Sequence, residues 1–333
     1  MPVDVSLCII NRDNRDNLVR LVKEARPWVS EIVVVDTGST DGSVNAVQSA
    51  GADNVSERPD LIHEDGFISS FANARNASYE LAQRPWIMNL DTDDTLRTWD
   101  ELAGVVARAE HERQLGRLLF ISLPYEIRMP GNELSSWAFQ KARLSHRDDC
   151  WRWVYPVHEQ LSNDADSWEG LYLNSPTVLH LSERSGQASD RNLAILRRWE
   201  KADGPQHPEE LWFYLGDEMY ARERYVEAFQ YYDRIAGLKT QRQASAALRA
   251  GRCLRLQNKI REMLEYYEKW VNLAPTIANF YWEVGYTAYK INDVKLARYA
   301  MSKGSNAPHQ VENESTYPRD VVAKWLSGIA KSL

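Results

Sequence analysis

The N-terminal third of the chain alternates short apolar runs with amphipathic stretches. Residues 5–10, 32–35 and 86–90 are almost wholly apolar and have the length of buried β-strands. Between them, residues 16–28 and 71–82 carry apolar positions at helical spacing. Alternating strands and helices with apolar strands predict a parallel sheet that helices cover on both faces.

The pattern changes after this segment. Residues 118–125, 137–144, 151–154 and 177–180 are strand-like and follow one another without a helical stretch between them. Such a series is typical of a sheet that contains antiparallel strands. We expect it to continue the first sheet as a mixed sheet within the same domain.

From residue 209 the pattern is helical and repetitive. Gly216, Gly251 and Gly285 recur at intervals of 35 and 34 residues, which is the period of tetratricopeptide repeats. Small residues at such positions let paired helices approach closely, and about three repeats are needed to share a core. The spacing predicts a repeat domain, with an ordinary helical domain as the alternative.

Length and composition fit two domains. The chain has 333 residues, of which 44% are hydrophobic. We expect an α/β domain over residues 1–185, a linker helix over 186–208 and the repeat domain over 209–333. The net charge is −7 and no lysine- or arginine-rich block occurs, which disfavours a nucleic-acid partner.

The expected cellular location rests on features that the sequence lacks. Its three cysteines are far apart, and the N-terminus has no signal-peptide pattern. No apolar run approaches the ~20 residues that cross a bilayer. These features predict a cytoplasmic location without a transmembrane segment.

The chemistry-bearing positions follow the third apolar strand. No G-x-G-x-x-G or G-x-x-x-x-G-K-[ST] loop occurs, which disfavours dinucleotide-binding oxidoreductases and P-loop enzymes. Asp91 and Asp93 come directly after residues 86–90, where open sheets bind ligands. Two such carboxylates suit one Mg2+ or Mn2+ ion that keeps positions open for phosphates. A second D-x-D segment, Asp164 and Asp166, lies in a polar stretch and is interpreted as a solvated loop. For Asp91 and Asp93, a polar turn without a bound ion is the alternative interpretation.

Three segments occur together in a known order. They are V-V-V-D-T-G-S-T-D-G at residues 33–42, F-A-N-A-R-N at 71–76 and W-I-M-N-L-D-T-D-D at 86–94. In order and spacing they resemble the motifs of family 2 glycosyltransferases with the GT-A fold. Because V-H-E-Q-L at 157–161 and the repeats extend the resemblance, the subfamily with C-terminal tetratricopeptide repeats, which includes enzymes that glycosylate peptides, is the most similar. The implied fold class is α/β, a GT-A nucleotide-diphospho-sugar transferase sheet followed by an all-α repeat region.

The resemblance implies a donor site. Asp36 would hydrogen-bond the nucleotide base, and Arg75 would face the diphosphate or orient Asp91. An Asx-type turn is the alternative role for Asp36, and a surface helix cation is the alternative for Arg75. The implied nucleotide-sugar-binding residues are Ile9, Asn11, Asp36, Arg75, Asp91 and Thr92.

A metal site is implied as well. Its ligands would be Asp91, Asp93 and His180, with Mn2+ or Mg2+ as the cofactor. A lone histidine at a strand end also occurs for structural reasons. Asp94 departs mildly from the family, which often has glutamate at this position.

Transfer requires a base that takes a proton from the acceptor. Glu159 is the first candidate and His158 the second, while a salt bridge between Glu159 and Arg152 is the structural alternative. Among the tryptophans nearby, one would stack on an acceptor sugar unless all of them serve core packing. These tryptophans are Trp137, Trp151 and Trp153.

The expected function is inverting, metal-dependent transfer of a hexose from a nucleotide-sugar, a UDP-sugar, to an acceptor. Repeats often bind peptides, which favours a peptide or protein side chain, with a glycan or a modified nucleobase as alternatives. A different class remains open, in which the repeats are a binding scaffold and the first domain is a degenerate, non-catalytic relative. A nucleotidyltransferase is disfavoured because its glycine-rich basic loop is missing. Homodimerisation through the repeats is a further expectation.

Overall fold

The computed structural model describes residues 1–128, 136–181, 190–202 and 208–311. The chain divides into two compact units, Met1–Gln187 and Ala188–Leu333. Within the described residues, every helix is too short or too polar to span a lipid bilayer.

The first unit is an α/β unit. Its strands are β1 (Val3–Asn11), β2 (Val29–Asp36), β3 (Asn54–Glu57), β4 (Trp86–Asn89), β5 (Asp94–Leu96), β6 (Leu119–Arg128), β7 (Ser136–His146), β8 (Arg152–Val154), β9 (Gln160–Ser162), β10 (Glu169–Tyr172) and β11 (Val178–His180). Its helices are α1 (Arg15–Ala25), α2 (Ser43–Ala50), α3 (Phe71–Leu81) and α4 (Leu102–Gln114), with short 3-10 turns at Pro59–Leu61, Trp99–Glu101 and Arg147–Asp149.

One mixed sheet organises this unit. Its order is β3-β2-β1-β4-β7-β6-β11-β5, with β10 beside β6, while β8 and β9 form a separate pair. The first four strands in this order are parallel, and β7 is antiparallel to both β4 and β6. The predicted parallel sheet with a mixed continuation is therefore confirmed.

The parallel strands are apolar because both of their faces are covered. Along β1, the side chains of Leu7 and Ile9 pack in a core with Leu18 of α1. Cys8, which points to the opposite face, packs in a second core with Tyr79 of α3. Burial on both faces removes the alternation of apolar and polar residues that a one-sided sheet would have.

The second unit is helical. Its helices are α5 (Asp190–Lys201), α6 (Pro208–Ala221), α7 (Tyr225–Ala236), α8 (Gln243–Leu256), α9 (Ile260–Leu273), α10 (Ala278–Lys290) and α11 (Val294–Asn306). The three periodic glycines lie in α6, α8 and α10, and each leaves room for a large side chain of the next helix, namely Tyr232, Tyr267 and Met301. The predicted helical repeat region is confirmed, and its period reflects these close helix contacts.

Gly251→Ala is expected to lower the free energy of unfolding by about 1–3 kcal/mol. A Cβ at residue 251 would lie 2.2 Å from Cζ of Tyr267. That tyrosine has little freedom to move, because it is fully buried and its hydroxyl donates to the carbonyl of Leu248 at 2.7 Å. The measurement is urea-induced unfolding followed by circular dichroism.

Gly104→Ala is the matched control for this helix glycine. A Cβ at residue 104 meets no atom within 4 Å. Because alanine is the better helix former, the control is expected to gain up to about 1 kcal/mol. Equal stability changes at the two positions would contradict the proposed role of the Gly251 contact.

Candidate functional site

Three parallel strands end at the same edge of the sheet. Asn11 of β1 lies opposite Asp36 of β2, and Cys8 lies opposite Asn89 of β4. Asp91 follows β4 by two residues and therefore lies beyond the strand end. Ligands of open α/β sheets bind at this edge. The structure thus brings three residues that the sequence singled out, Asn11, Asp36 and Asp91, to one side of the sheet.

Asp36 accepts four hydrogen bonds. Its Oδ1 accepts from the backbone N–H groups of Gly38 and Ser39 at 3.0 and 2.7 Å. Its Oδ2 accepts from Asn11 Nδ2 at 2.9 Å and from the Ser39 hydroxyl at 2.6 Å. This is an Asx-type turn whose carboxylate is saturated, so a base would reach Asp36 only by displacing one donor. Asn11 Oδ1, in contrast, is buried and has no hydrogen-bond partner within the described residues.

Ile9 and Thr92 contribute less directly to this edge. The Ile9 side chain is fully buried in the core, so only its backbone is available to a ligand. The Thr92 hydroxyl accepts from Asn14 Nδ2 at 2.7 Å, which ties the loop after β1 to the turn after β4. Arg20 of α1 donates to the carbonyls of Thr92 and Asp94 at 3.1 and 3.0 Å. These contacts hold in place the turn at residues 91–94, which contains three aspartates and is called the acidic turn below.

Arg75 joins two carboxylates. It projects from α3, and its Nη2 donates to Asp91 Oδ1 at 2.6 Å while its Nε donates to Glu159 Oε1 at 2.7 Å. Its guanidinium lies 5.2 Å from the ring centre of Trp153. Burial alone would lower the pKa of Arg75, but the two carboxylates raise it above its ordinary value. Of the roles considered for Arg75, the structure shows the contact with Asp91, and the side chain is buried rather than on the surface.

Asn76, the residue after Arg75, helps to attach residues 153–156 to α3. The Asn76 side chain donates to the Trp153 carbonyl at 2.9 Å and accepts from the Trp153 backbone N–H at 2.8 Å. The Phe71 backbone N–H also donates to the Pro156 carbonyl, at 2.8 Å. These bonds place the chain after β8 so that Glu159 reaches Arg75. No role was predicted for Asn76 from the sequence, although its place beside Arg75 in the F-A-N-A-R-N segment was an available signal.

The two candidate bases have different surroundings. Burial would raise the pKa of Glu159, but Arg75 outweighs it and lowers that pKa below its ordinary value. His158 is exposed and adopts a left-handed backbone conformation, with φ of +54°. Arg152 pairs with Asp164 at 2.6 Å, and the salt bridge of Glu159 is with Arg75 instead.

Asp94 is a buried carboxylate with several donors around it. The antiparallel pairing of β5 with β11 places His180 opposite Asp94. Asp94 Oδ1 accepts from the Tyr125 hydroxyl at 3.0 Å and lies 3.1 Å from His180 Nδ1. Its Oδ2 accepts from Arg143 Nη2 at 2.8 Å and from the Asp91 backbone N–H at 3.1 Å. Asp94 is thus placed to orient His180, as carboxylates behind metal-binding histidines do.

The acidic turn fits a divalent cation. Asp93, Asp94 and His180 offer ligand atoms within 4.8 Å of one another, and Asp93 Oδ1 lies 3.6 Å from His180 Nδ1. Burial raises the pKa of Asp93, and the charges of Asp91 and Asp94 add to this rise against the pull of His180. No lysine or arginine pairs with Asp93 in the described parts of the chain. A cation would relieve this crowding of charge, and carboxylate oxygens suit Mg2+ and Mn2+.

Asp91, the third predicted metal ligand, has a different environment. Burial would raise its pKa, but Arg75, Lys141 and Arg143 hold the pKa well below its usual range. Its two oxygens bind Arg75 at 2.6 Å and Lys141 at 3.3 Å. The structure therefore groups Asp91 with basic side chains, and the cluster of acidic and histidine side chains beside it consists of Asp93, Asp94 and His180.

Two basic residues of β7 were missed in the sequence analysis. Because β7 runs antiparallel beside β4, its earlier residues pass the end of β4 and reach the acidic turn. Lys141 Nζ lies 3.3 Å from Asp91 Oδ2 and 4.7 Å from the ring centre of Tyr125. Arg143 is fully buried and donates to the Asn89 carbonyl at 3.2 Å. The available signal was a pair of basic residues two positions apart in a strand-like segment.

The tryptophans and the second D-x-D have simpler outcomes. Trp151 and Trp153 are buried in the core that includes α3, so core packing accounts for both. The side chain of Trp137 lies outside the described residues. Asp164 and Asp166 are exposed, in agreement with a solvated loop.

Comparison with known proteins finds a family match over part of the chain. Residues 5–132 match the sequence model described as Glycosyl transferase family 2. The chain is 35% identical over 108 residues to a TPR repeat-containing protein of Synechococcus elongatus, covering 32% of this chain and 25% of that protein. It is 28% identical over 113 residues to an uncharacterized glycosyltransferase of Rickettsia felis, covering 33% of this chain and 37% of that protein. The matches thus span about a quarter and just over a third of these curated relatives.

Two solved structures are similar to parts of this chain. Mannosyl-3-phosphoglycerate synthase from Rubrobacter xylanophilus is 21% identical, with a TM-score of 0.30, over 39% of this chain and 42% of that chain. The Sgt2 TPR domain from Aspergillus fumigatus is 16% identical, with a TM-score of 0.31, over 39% of this chain and 80% of that chain.

Proposed function

We propose that this chain, whose residues 5–132 form a family 2 glycosyltransferase domain, transfers a hexose from a nucleotide-sugar to an acceptor. The observation that carries the proposal is the chain of contacts from Glu159 through Arg75 to Asp91 of the acidic turn, at the sheet edge. These contacts connect Glu159, a carboxylate that could take a proton from an acceptor, with Asp91, which lies where a donor would bind. A UDP-sugar is proposed as the donor from the resemblance of the motifs.

On the donor side, we propose that some residues bind the cation and the nucleotide base and that others orient these binding residues. Asp93 and His180 would hold Mn2+ or Mg2+, which would supply positive charge to offset the negative charge of the departing nucleoside diphosphate. Asp94 keeps His180 in position through its contact with Nδ1 at 3.1 Å. Asn11 Oδ1 offers a buried acceptor for an N–H group of the base. Asp36 would support that pocket by holding the Asn11 amide in place.

On the acceptor side, we propose Glu159 as the base and His158 as its rival. Arg75 binds Glu159 Oε1, so Oε2 is the oxygen that would take the proton from the acceptor hydroxyl or thiol. The acceptor would attack the anomeric carbon as the bond to the diphosphate breaks, which inverts the configuration at that carbon. Arg75 supports this role by keeping the Glu159 carboxylate ionised.

The repeat region supports a peptide or protein side chain as the acceptor. Stacked helical repeats commonly present extended binding surfaces, and an extended peptide suits such a surface better than a single sugar does. A glycan and a modified nucleobase remain chemically compatible with the same base and cation. The same region would also be the contact surface in a homodimer.

A donor screen tests this proposal. The chain is expected to release a free nucleoside diphosphate from one member of a panel of UDP- and GDP-sugars. This release is expected with Mn2+ or Mg2+ and should be lost in EDTA, because the crowded carboxylates at Asp93 need a cation to bind phosphate. Calorimetry with UDP and GDP provides the parallel measurement. If no nucleoside diphosphate binds with or without the cation, a non-catalytic scaffold is the better description.

A further inference from the structure

We infer that Lys141 binds the diphosphate of the donor, exchanging its contact with Asp91 for a phosphate oxygen. The inference rests on the proposed function, since it names the side chain that would neutralise the donor's phosphates. It concerns a residue of β7, outside the segments that suggested the site in the sequence. Three observations support it, namely the partners of the basic side chains, the second partner of Asp91 and the chemistry of the strand ends.

Three lysine or arginine side chains form ion pairs with carboxylates of the acidic turn, and they differ in how firmly they are held. Arg75 is buried and bound to two carboxylates, Asp91 and Glu159. The Arg143 side chain is 0% exposed and pairs with Asp94, whose side chain is also 0% exposed. Lys141 has one ion pair, at 3.3 Å, and its side chain is 32% exposed. Lys141 is therefore the basic residue of this group that can change partner without leaving an arginine buried and uncompensated.

Asp91 tolerates the loss of Lys141. When the ammonium leaves, Asp91 Oδ1 still accepts from Arg75 at 2.6 Å. The carboxylate consequently remains paired, and the exchange avoids the cost of an unpaired buried charge. The flexible stem of lysine and its three rotatable donors also suit a ligand that arrives and leaves. The Tyr125 ring, 4.7 Å from Nζ, lies against the cation in its present position.

A donor diphosphate at this edge of the sheet would have to be bound by side chains and not by backbone N–H groups. The loop after β1 contains Arg12, Asp13 and Asn14 and has no glycine-rich backbone cradle. A donor diphosphate at the acidic turn would bring further negative charge toward Asp91 and Asp93. Lys141 contacts the same turn at Asp91, so it is placed to offset that charge independently of a cation at Asp93.

Binding measurements on the full chain test the inference. The variants are Lys141→Met, which removes the charge, and Lys141→Arg, which keeps it. Arg113→Met is the matched control, because Arg113 is 31% exposed and pairs with Asp149 at 2.9 Å, close to the values for Lys141. The probes are UDP, GDP, inorganic diphosphate and uridine, titrated by calorimetry in EDTA and again with Mn2+.

Lys141→Met is expected to weaken binding of UDP or GDP, and of inorganic diphosphate, about 10- to 100-fold with Mn2+ as well as in EDTA. Uridine, which has no phosphate, should bind within about twofold of the unmodified chain. Lys141→Arg should retain most of the affinity, and Arg113→Met should behave like the unmodified chain. Equal diphosphate binding by Lys141→Met and the unmodified chain would overturn the inference and leave the proposed function intact. If the unmodified chain binds neither UDP nor GDP with Mn2+, the proposed function and the inference fail together.

A measurement without a variant covers the case in which Lys141→Met does not fold. Saturating UDP is expected to slow acetylation of Lys141 by an amine-reactive reagent, as read by mass spectrometry. Lys23, which is exposed on α1, should be modified at the same rate with and without UDP. An unchanged rate at Lys141 under saturating UDP would overturn the inference.

Discussion

Arg75→Met is expected to lower turnover by about 100- to 1,000-fold and the free energy of unfolding by about 3–5 kcal/mol. The substitution removes the cation that pairs with both Asp91 and Glu159. Asp91 would keep Lys141, but Glu159 would become a mostly buried carboxylate without its cation. The donor-side and acceptor-side groups would also lose the link that positions them. Release of nucleoside diphosphate and urea-induced unfolding measure the two effects.

A second substitution separates the two effects of Arg75→Met. Glu159→Gln in the same chain removes the stranded charge, so the double variant is expected to regain part of the lost stability and none of the lost turnover. Arg58→Met is the control, since Arg58 pairs with Asp60 on the surface and the loss of such a pair costs little. Full turnover in Arg75→Met would contradict the proposed site. No recovery of stability on adding Glu159→Gln would contradict the assigned charge pairing.

Asp93→Asn is expected to lower cation-dependent turnover by about 1,000-fold, because a bound cation supplies several kcal/mol of charge stabilisation. The free energy of unfolding, in contrast, should rise or stay unchanged. Asp93 has no lysine or arginine partner in the described residues and lies near two other carboxylates, so neutralising it removes repulsion. Mn2+ titration of turnover, Mn2+ binding by calorimetry and urea-induced unfolding are the measurements.

The chain contains its own control for Asp93→Asn. Asp166→Asn alters the other D-x-D segment, which is exposed, and should leave turnover and Mn2+ affinity unchanged. Asp91→Asn should lose stability, since Asp91 is bound to Arg75 and Lys141. Normal Mn2+ affinity in Asp93→Asn would place the cation elsewhere.

Much of the fold was predictable because its signals are local. The apolar runs identify the parallel strands that end at the site, and the glycine period identifies the repeat helices. The resemblance to family 2 glycosyltransferases is confirmed over residues 5–132. Four strands escaped prediction because β3, β5, β9 and β10 have only three or four residues, too few for a periodic pattern. Helix α4 escaped as well, since its buried side chains are few and include the small Ala109.

The site was less predictable because it depends on distant partners. Arg75 and Glu159 are 84 residues apart in the chain, and Lys141 and Asp91 are 50 apart. The motifs indicate Arg75 and Asp91 but contain no information on which side chains form ion pairs with them. The antiparallel course of β7 supplies Lys141, and the pairing of β5 with β11 brings His180 to Asp94. Strand pairing of this kind is settled by the whole sheet and not by any one segment.

The arginine shared by two carboxylates makes the two halves of the site energetically linked. A ligand that draws Asp91 away from Arg75 leaves Glu159 as the main partner of the guanidinium, so occupancy on one side changes the free energy of binding on the other. Such linkage is reciprocal, because an acceptor that engages Glu159 must alter donor affinity by the same factor. Under the proposed function, the shared arginine would give the chain a means of cooperativity between donor and acceptor within a single polypeptide.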